Sequence, residues 1–527
     1  MTAHLVIAPL LIPLAVAALQ LLAGTKRRRL ASALSLASCV LLLLVAAGLM
    51  WMVAGPAAGS RTFVYAIGDW PARFAIVLVA DRLSVLMLLL TAVLALAVMP
   101  YALGRWQHRG ARFQPLMQLL LLGLNGAFLT GDLFNLFVFF EVLLAASYGL
   151  ALHGSGARRT SAGLHYIAIN LAASMLFLLG VSLIFGVTGT LNMAELARKI
   201  PALPEHTRNL LHGGAALLGL AFLVKTAVWP LGFWLPRTYS AATPPVAAMF
   251  SIMTKLGIYV LLRLSLLLFG AGAGPASAHF GSDWLLVAGM ITLVVGAIGL
   301  LGARELGKLA GYCVLISSGT LLGAVALHQP AVTAGALAYL VISVLGIATL
   351  FLLTGLIVPH DEPEGSEQLE PYDPVGDTLY AAEDESRVVE PVPLVILGIC
   401  FVGCALLLSG LPPMAGFLAK FALLAPMPAG GTGAMVLFGL ILVASVCSII
   451  ALCRAGIQIF WADTEEWVFP HARPRETASV IVLLAVSLVL AFAAAHPWRY
   501  LQATARQVHT PSHYIQAVLP QAAEAQP

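Results

Sequence analysis

The chain has 527 residues, 60% of them hydrophobic and 10% charged, whereas an ordinary soluble domain carries charge at about a quarter of its positions. This composition excludes a soluble enzyme. Only 24 residues are acidic, and 11 of them fall between Asp361 and Glu390, so every other acid has to be located; the net charge of +4 matters less than where the charges lie.

A membrane span needs about 20 apolar residues. Fourteen stretches qualify: 5–23, 30–54, 83–103, 114–131, 134–152, 161–186, 209–235, 245–269, 283–302, 309–327, 331–357, 393–424, 433–461 and 476–495. They predict an all-α polytopic membrane protein with about fourteen transmembrane helices. No cleavable signal precedes the first stretch, so that helix is expected to stay. If it runs from outside to inside, the cytoplasmic turns receive 15 of the 28 basic residues, Lys26 to Arg29 among them, and the opposite face receives 8. The excess sets both termini on the extracytoplasmic side.

Between the second and third spans, Phe63, Tyr65 and Ile67 alternate with smaller residues, Gly68 to Pro71 make a turn, and Phe74, Ile76 and Leu78 alternate again. This predicts a small extracytoplasmic β-hairpin. Asp132, after Gly131, reads as the N-cap of the fifth span. Glu141 lies seven residues past Phe134, about 10 Å into the membrane, and is the one acid deep in any span. His165 and His328 stand near span ends as candidate proton relays or structural histidines. Thr190 to Ile200 suit a short interfacial helix.

Lys225 falls near the middle of the seventh span, in LVKTAVWPLGFWLP. Pro230 removes a donor and crowds the carbonyl of Thr226, so the helix is expected to break beside its lysine. Backbone freed at membrane depth needs protein or water to receive it, which implies a polar cavity. Lys255 is about 15 Å into the eighth span. Lys308 opens the tenth, either as a cytoplasmic anchor or as the feed to a channel. The acidic stretch of 358–392 reads as a solvated cytoplasmic loop. In the twelfth span Gly410, Pro412, Pro413 and Gly416 repeat the break, with Lys420 seven residues past the second proline. Arg263 and Arg454, nearer helix ends, read as structural. Cysteines 39, 313, 400, 404, 447 and 453 read as small buried hydrophobes.

The chain thus divides into 1–112, three helices with the hairpin; 113–270 and 283–461, two five-helix units each with a broken helix; and 476–527, a last helix and tail. Five is an odd number of crossings, so related units would be inverted repeats. A charge near the bilayer centre costs at least about 2.5 to 3.5 kcal/mol on insertion scales. One Glu and three Lys do not balance as helix glue, and a buried lysine is held charged only by what surrounds it, which suits proton transfer. No phosphate loop, metal-ligand cluster or haem signature marks a cofactor or an enzyme, and neither a metal nor a nucleic acid is expected.

Together GDWPARFAIVLVADRLSVLM, GDLFNLFVFFEVLLAASYGLALHG, LVKTAVWPLGFWLP, TKLGIYVLLR, GYCVLISSGTLL and LPPMAGFLAKF resemble the D-type subunit of the bacterial Mrp (Pha or Mnh) multisubunit cation/proton antiporter. The resemblance covers most of the chain, and its broken-helix motifs are shared with the antiporter-like subunits of respiratory complex I. It implies two inverted five-helix repeats, a bacterial plasma-membrane location, other antiporter subunits as partners, Na+ or K+ as the exchanged cation, and a proton path through Glu141, Lys225, Lys255 and Lys420. Where relatives often have a histidine in the eleventh helix, this sequence has Ile342 and Ser343, so water or Ser343 is expected to link Lys255 to Lys420. The competing readings are a proton-pumping subunit of a complex I or membrane-hydrogenase assembly, a self-sufficient sodium/proton exchanger, and a membrane enzyme.

Overall fold

The computed structural model describes residues 3–24, 27–55, 61–70, 76–109, 112–154, 156–357, 391–461 and 473–519. In chain order come α1 (Ala8–Ala23), α2 (Arg28–Ala54), β1 (Phe63–Ala66), β2 (Val77–Ala80), α3 (Arg82–Gly104), α4 (Phe113–Leu129), α5 (Leu133–Ala151), α6 (Ala157–Thr188), α7 (Met193–Lys199), α8 (Glu205–Lys225), α9 (Trp234–Ala241) and α10 (Pro244–Leu267). They are followed by α11 (Ser282–Gly302), α12 (Leu306–Ala326), α13 (Pro330–Ile357), α14 (Pro391–Ser409), α15 (Ala415–Leu424), α16 (Thr432–Phe460), α17 (Pro474–Phe492), α18 (Ala495–Val508) and α19 (Ser512–Val518). Among the described residues, eleven helices are long and apolar enough to cross a membrane, and four shorter apolar segments accompany them. The acidic loop expected at 358–392 lies outside the described residues up to 390, as do 520–527 of the tail.

Burial sorts the helices into an inner row and an outer shell. Every residue of α10 is buried, and nearly all of α12 and α13. By contrast α2, α6, α11, α16 and α17 expose Leu, Ile, Val or Phe on one face, as helices do where the solvent is hydrocarbon. Within the inner row, α10 meets only protein on every side.

Both expected breaks are present. α8 ends at Lys225 and α9 starts at Trp234; α14 ends at Ser409 and α15 starts at Ala415. Glycine makes each turn possible. A Cβ on Gly232 would lie 2.0 Å from the Ala227 carbonyl oxygen, and Gly410, at φ +78°, would place one 2.5 Å from Cδ of Lys420.

The hairpin is antiparallel, with Phe63 opposite Ala80 and Ala66 opposite Val77, and its turn residues 71–75 lie outside the described set. β2 is buried at all four positions, so the alternation in sequence does not mark a wet face. The strand is covered by the start of α5, where Gly131 N donates to Val77 O at 2.9 Å. The short α7 forms where expected, capped by Asn192, whose side chain accepts from Ala194 N and Glu195 N. The tail holds two helices that hydropathy does not show. α18 is amphipathic, burying Leu501, Ala505 and Val508. Four cysteines are buried, whereas Cys447 is half-buried and Cys453 exposed on α16, so the uniform reading of buried thiols is corrected there.

Candidate functional site

Glu141, half-buried on α5, and Lys225, buried at the last position of α8, do not touch. Ser174 of α6 stands between them. Its hydroxyl donates to Glu141 Oε1 at 2.5 Å and accepts from Lys225 Nζ at 3.4 Å. The ammonium also lies 5.1 Å from the centroid of the Phe140 ring, which packs with Phe177 and Phe222. It sits where the carbonyl ends of α8 carry partial negative charge, beside this cluster of aromatic rings. Glu141 and Lys225 are thus joined through a hydroxyl and not by direct contact.

Lys420, on α15, is held by the other break. Its Nζ donates to the Ser409 carbonyl at 2.8 Å and to Ser445 Oγ at 2.9 Å. Ser409 is four residues before Pro413, which has no N–H to offer it. The lysine therefore takes a carbonyl that the broken helix leaves over. Both lysines accordingly sit at the carboxyl end of a half-helix. Lys420 also lines a small chamber of about 20 Å³ with Cys313, Ser317, Tyr339, Ile342 and Ser343. Among the described residues, Lys255, fully enclosed on α10, has no hydrogen-bond partner for its Nζ, and neither Ser317 Oγ nor Ser318 Oγ has one.

The remaining candidates lie apart. His165 is exposed and its Nδ1 is 2.8 Å from the Ser161 carbonyl on its own helix. His328, in the turn between α12 and α13, lies 3.1 Å from Ser282 Oγ and stacks edge-on with His279. Burial, with His279 and His509 nearby, pushes it down to about 4. Lys308 is half-buried and donates to Glu305 Oε1 at 2.5 Å; that carboxylate also pairs with Arg158 and is held below its ordinary range chiefly by Lys308. Asp132 caps α5 by accepting from Phe134 N and Asn135 N. Ser343 faces the Lys420 chamber while donating to Leu340 O at 2.9 Å.

Two arginines are tied to partners within the chain. Arg263 forms a two-pronged pair with Asp81, the N-cap of α3, and Arg454 donates to Ala303 O at 2.8 Å. Asp81 and Glu476 are buried acids besides those of the spans, but each stands at a helix start with an arginine beside it, Arg263 and Arg105 respectively. Sequence reasoning passed over Ser174, Ser317 and Ser445. A signal existed for the first: Tyr166, Asn170 and Ser174, four residues apart, form a buried polar stripe on an otherwise apolar helix. Among the described residues, no group of three or more His, Cys, Asp or Glu could hold a metal ion.

A helical membrane protein that keeps lysines at two helix breaks is of the ion-transport class. Residues 130–446 match the family described as NADH:quinone oxidoreductase/Mrp antiporter, TM. The D-type subunit of a probable K(+)/H(+) antiporter of Rhizobium meliloti (strain 1021) is 49% identical over 98% of this chain and 97% of its own length. The corresponding D-type subunit of a Na(+)/H(+) antiporter of Bacillus subtilis (strain 168) is 32% identical over 98% of this chain and 99% of its own length. Among solved structures, a chain of the Mrp complex from Dietzia sp. DQ12-45-1b superposes with a TM-score of 0.80 at 26% identity, covering 98% of this chain and 99% of that one. Respiratory complex I from Thermus thermophilus shares the fold, with a TM-score of 0.75 at 20% identity over 97% of this chain and 99% of that one. The chain belongs to the NADH:quinone oxidoreductase/Mrp antiporter family, in its Mrp D-type branch.

Proposed function

We propose that this chain is the proton-translocating subunit of a multisubunit antiporter exchanging Na+ or K+ for protons, with the path running along Glu141, Lys225, Lys255 and Lys420. The observation that carries the reading is the placement of these groups. Two lysines are held at the ends of broken helices, and a third, without a partner among the described residues, is enclosed in the inner row. The names of the relatives from Rhizobium meliloti and Bacillus subtilis support the exchange of K+ or Na+ for H+. The reading includes fourteen crossings in two inverted five-helix repeats, 113–270 and 283–461, with the hairpin and both termini extracytoplasmic and the acidic loop cytoplasmic. Each broken segment is the fourth crossing of its unit, which agrees with duplication.

Movement of Glu141 toward or away from the Ser174 bridge changes how firmly Lys225 holds its proton. Two unit charges at about 4 Å in an effective dielectric of 20 attract by about 4 kcal/mol, so a displaced carboxylate releases a large bias. Beyond Lys225 the proton reaches Lys255 and then the Lys420 chamber. Ile258, Leu321 and Leu340 surround one small cavity; one helical turn from them lie Lys255, Ser317 and Ser343. The unpartnered Ser317 hydroxyl, Ser343 and one water in the 20 Å³ chamber supply the link for which relatives use histidine, since a site of that volume with several polar partners suits a single water. His165, His328 and Lys308 are left for exchange with the two surfaces.

The test is cation-driven proton movement in vesicles containing the assembled antiporter. Glu141→Ala is expected to abolish it with assembly intact. Normal transport by assembled Glu141→Ala complexes would refute this path. A redox-driven role is the second reading, favoured by the shared fold with respiratory complex I, and copurification with quinone-reducing proteins would select it.

A further inference from the structure

A cleft of about 1550 Å³ opens on the side of the molecule between α2 and α3 on one wall and α13, α15 and α17 on the other, with α18 across one end. It is larger than the 300 to 1,000 Å³ of ordinary small-molecule sites, at about one and a half times their upper bound. Its body is apolar, lined for example by Ala47, Leu90, Ala338, Leu345 and Val486. Its polar groups gather at the α18 end, where Arg82, Arg499 and Arg506 line the same opening. Among the described residues no carboxylate pairs with any of the three, and Arg82 Nε is buried without a hydrogen-bond partner while its guanidinium lies 5.5 Å from the Tyr500 ring centroid.

The dimensions identify the occupant. Along α3 the lining runs from Arg82 to Val93, and along α13 from Pro330 to Leu345, which is about 16 Å and 22 Å of helix at 1.5 Å per residue. Half of a hydrocarbon core of about 30 Å is about 15 Å, so the cleft is one leaflet deep. Its mouth sits at helix ends, beside the amphipathic α18 that suits the membrane interface. An apolar slot one leaflet deep with three unpaired arginines at its surface end fits a lipid with a negative headgroup. An uncharged helix from a partner protein would leave those cations without counterions.

We propose that this cleft binds one anionic phospholipid, its phosphate held by Arg82, Arg499 and Arg506 and its acyl chains laid along α3, α13 and α15. The site has a bearing on the lysine chamber. Ile342 lines both spaces, and Ala419 and Phe421 face the cleft while Lys420 between them turns to the chamber. The acyl chains thus form the outer backing of the wall that separates Lys420 from lipid. Recognition itself is independent of the proton path and can be read without transport.

The intact antiporter complex, stripped of loosely held lipid and equilibrated with vesicles of phosphatidylcholine or of phosphatidylcholine with phosphatidylglycerol, is weighed for lipid retained. The wild type is expected to keep phosphatidylglycerol in preference. Arg499→Gln with Arg506→Gln should weaken that preference roughly 30-fold, since each basic group near an anionic headgroup contributes about 1 kcal/mol. Ala338→Trp, which leaves the charges and fills the apolar slot, should reduce retention of both lipids. Equal retention by wild type and the double arginine variant overturns the proposal. So does displacement of the lipid by inorganic phosphate alone, or crosslinking of Ala338→Cys to a neighbouring subunit in the native complex, which would put protein in the cleft.

Discussion

Ser174 couples two charged groups that would otherwise stand apart. It donates to Glu141 and accepts from Lys225 through one oxygen, so in the proposed path it would pass the state of the acid to the lysine. Hydrogen bonds to charged groups are worth about 1.5 to 3 kcal/mol. Ser174→Ala is therefore expected to slow cation-driven proton movement about tenfold, with normal assembly, while Ser174→Thr keeps the hydroxyl and most of the rate. Vesicle exchange assays on both variants check this; a Ser174→Ala rate equal to wild type would remove the bridge from the mechanism. Charged residues were easy to find because an ion in an apolar run has no cheap explanation. Serine is common in membrane helices, where its hydroxyl bonds to its own helix, as Ser343 and Ser448 do. Only the three-dimensional juxtaposition separates Ser174 and Ser445 from those.

At the scale of the element, the broken helices follow from local chemistry. Proline deletes a backbone donor, glycine admits the tight path, and a lysine at each break meets the stranded carbonyl end of a half-helix. Prolines and glycines therefore made the breaks legible. α18 and α19 were not, because an amphipathic helix at an interface mixes Arg, Gln and Tyr with its apolar face and never forms a hydrophobic run. Their anchoring includes histidines: His509 Nε2 lies 2.9 Å from Thr333 Oγ1 at the start of α13, beside the His328 turn. Both rings are pushed from 6.5 down to about 4, by burial first of all. Since the unfolded chain binds more protons between these values, native stability is expected to fall as pH drops from about 6.5 to about 4 and to level off below. Thermal unfolding of the purified complex across that range, compared with His328→Gln, should show a shallower decline in the variant; identical pH profiles would exclude His328 from the effect.

For the whole molecule, the Asp81–Arg263 pair joins regions far apart in sequence. Asp81 starts α3, Arg263 belongs to α10, and the guanidinium also lies against the rings of Tyr259 and Tyr514. Breaking a buried pair from one side strands the other charge at a cost of about 3 to 5 kcal/mol. Asp81→Ala should lower the thermal stability of the complex accordingly, and Asp81→Ala with Arg263→Met should recover most of the loss. A single variant as stable as wild type would show that the pair is not a tie. The all-α membrane character was readable because hydropathy reports where lipid is. The pairing of α3 with α10 was not, since it depends on which buried faces meet, and α10 is apolar all round.

Tyr500 donates to Arg82 O, Gln507 links Arg82 N to Thr62, and Tyr514 lies over Arg263. Segments emerging late from the ribosome thus close contacts begun by segments inserted hundreds of residues earlier. Until α18 and α19 are made, Arg82 and Arg263 lack part of their surroundings, and the cleft lacks one end. A prematurely terminated product would consequently display cationic side chains and an open apolar slot at the membrane surface.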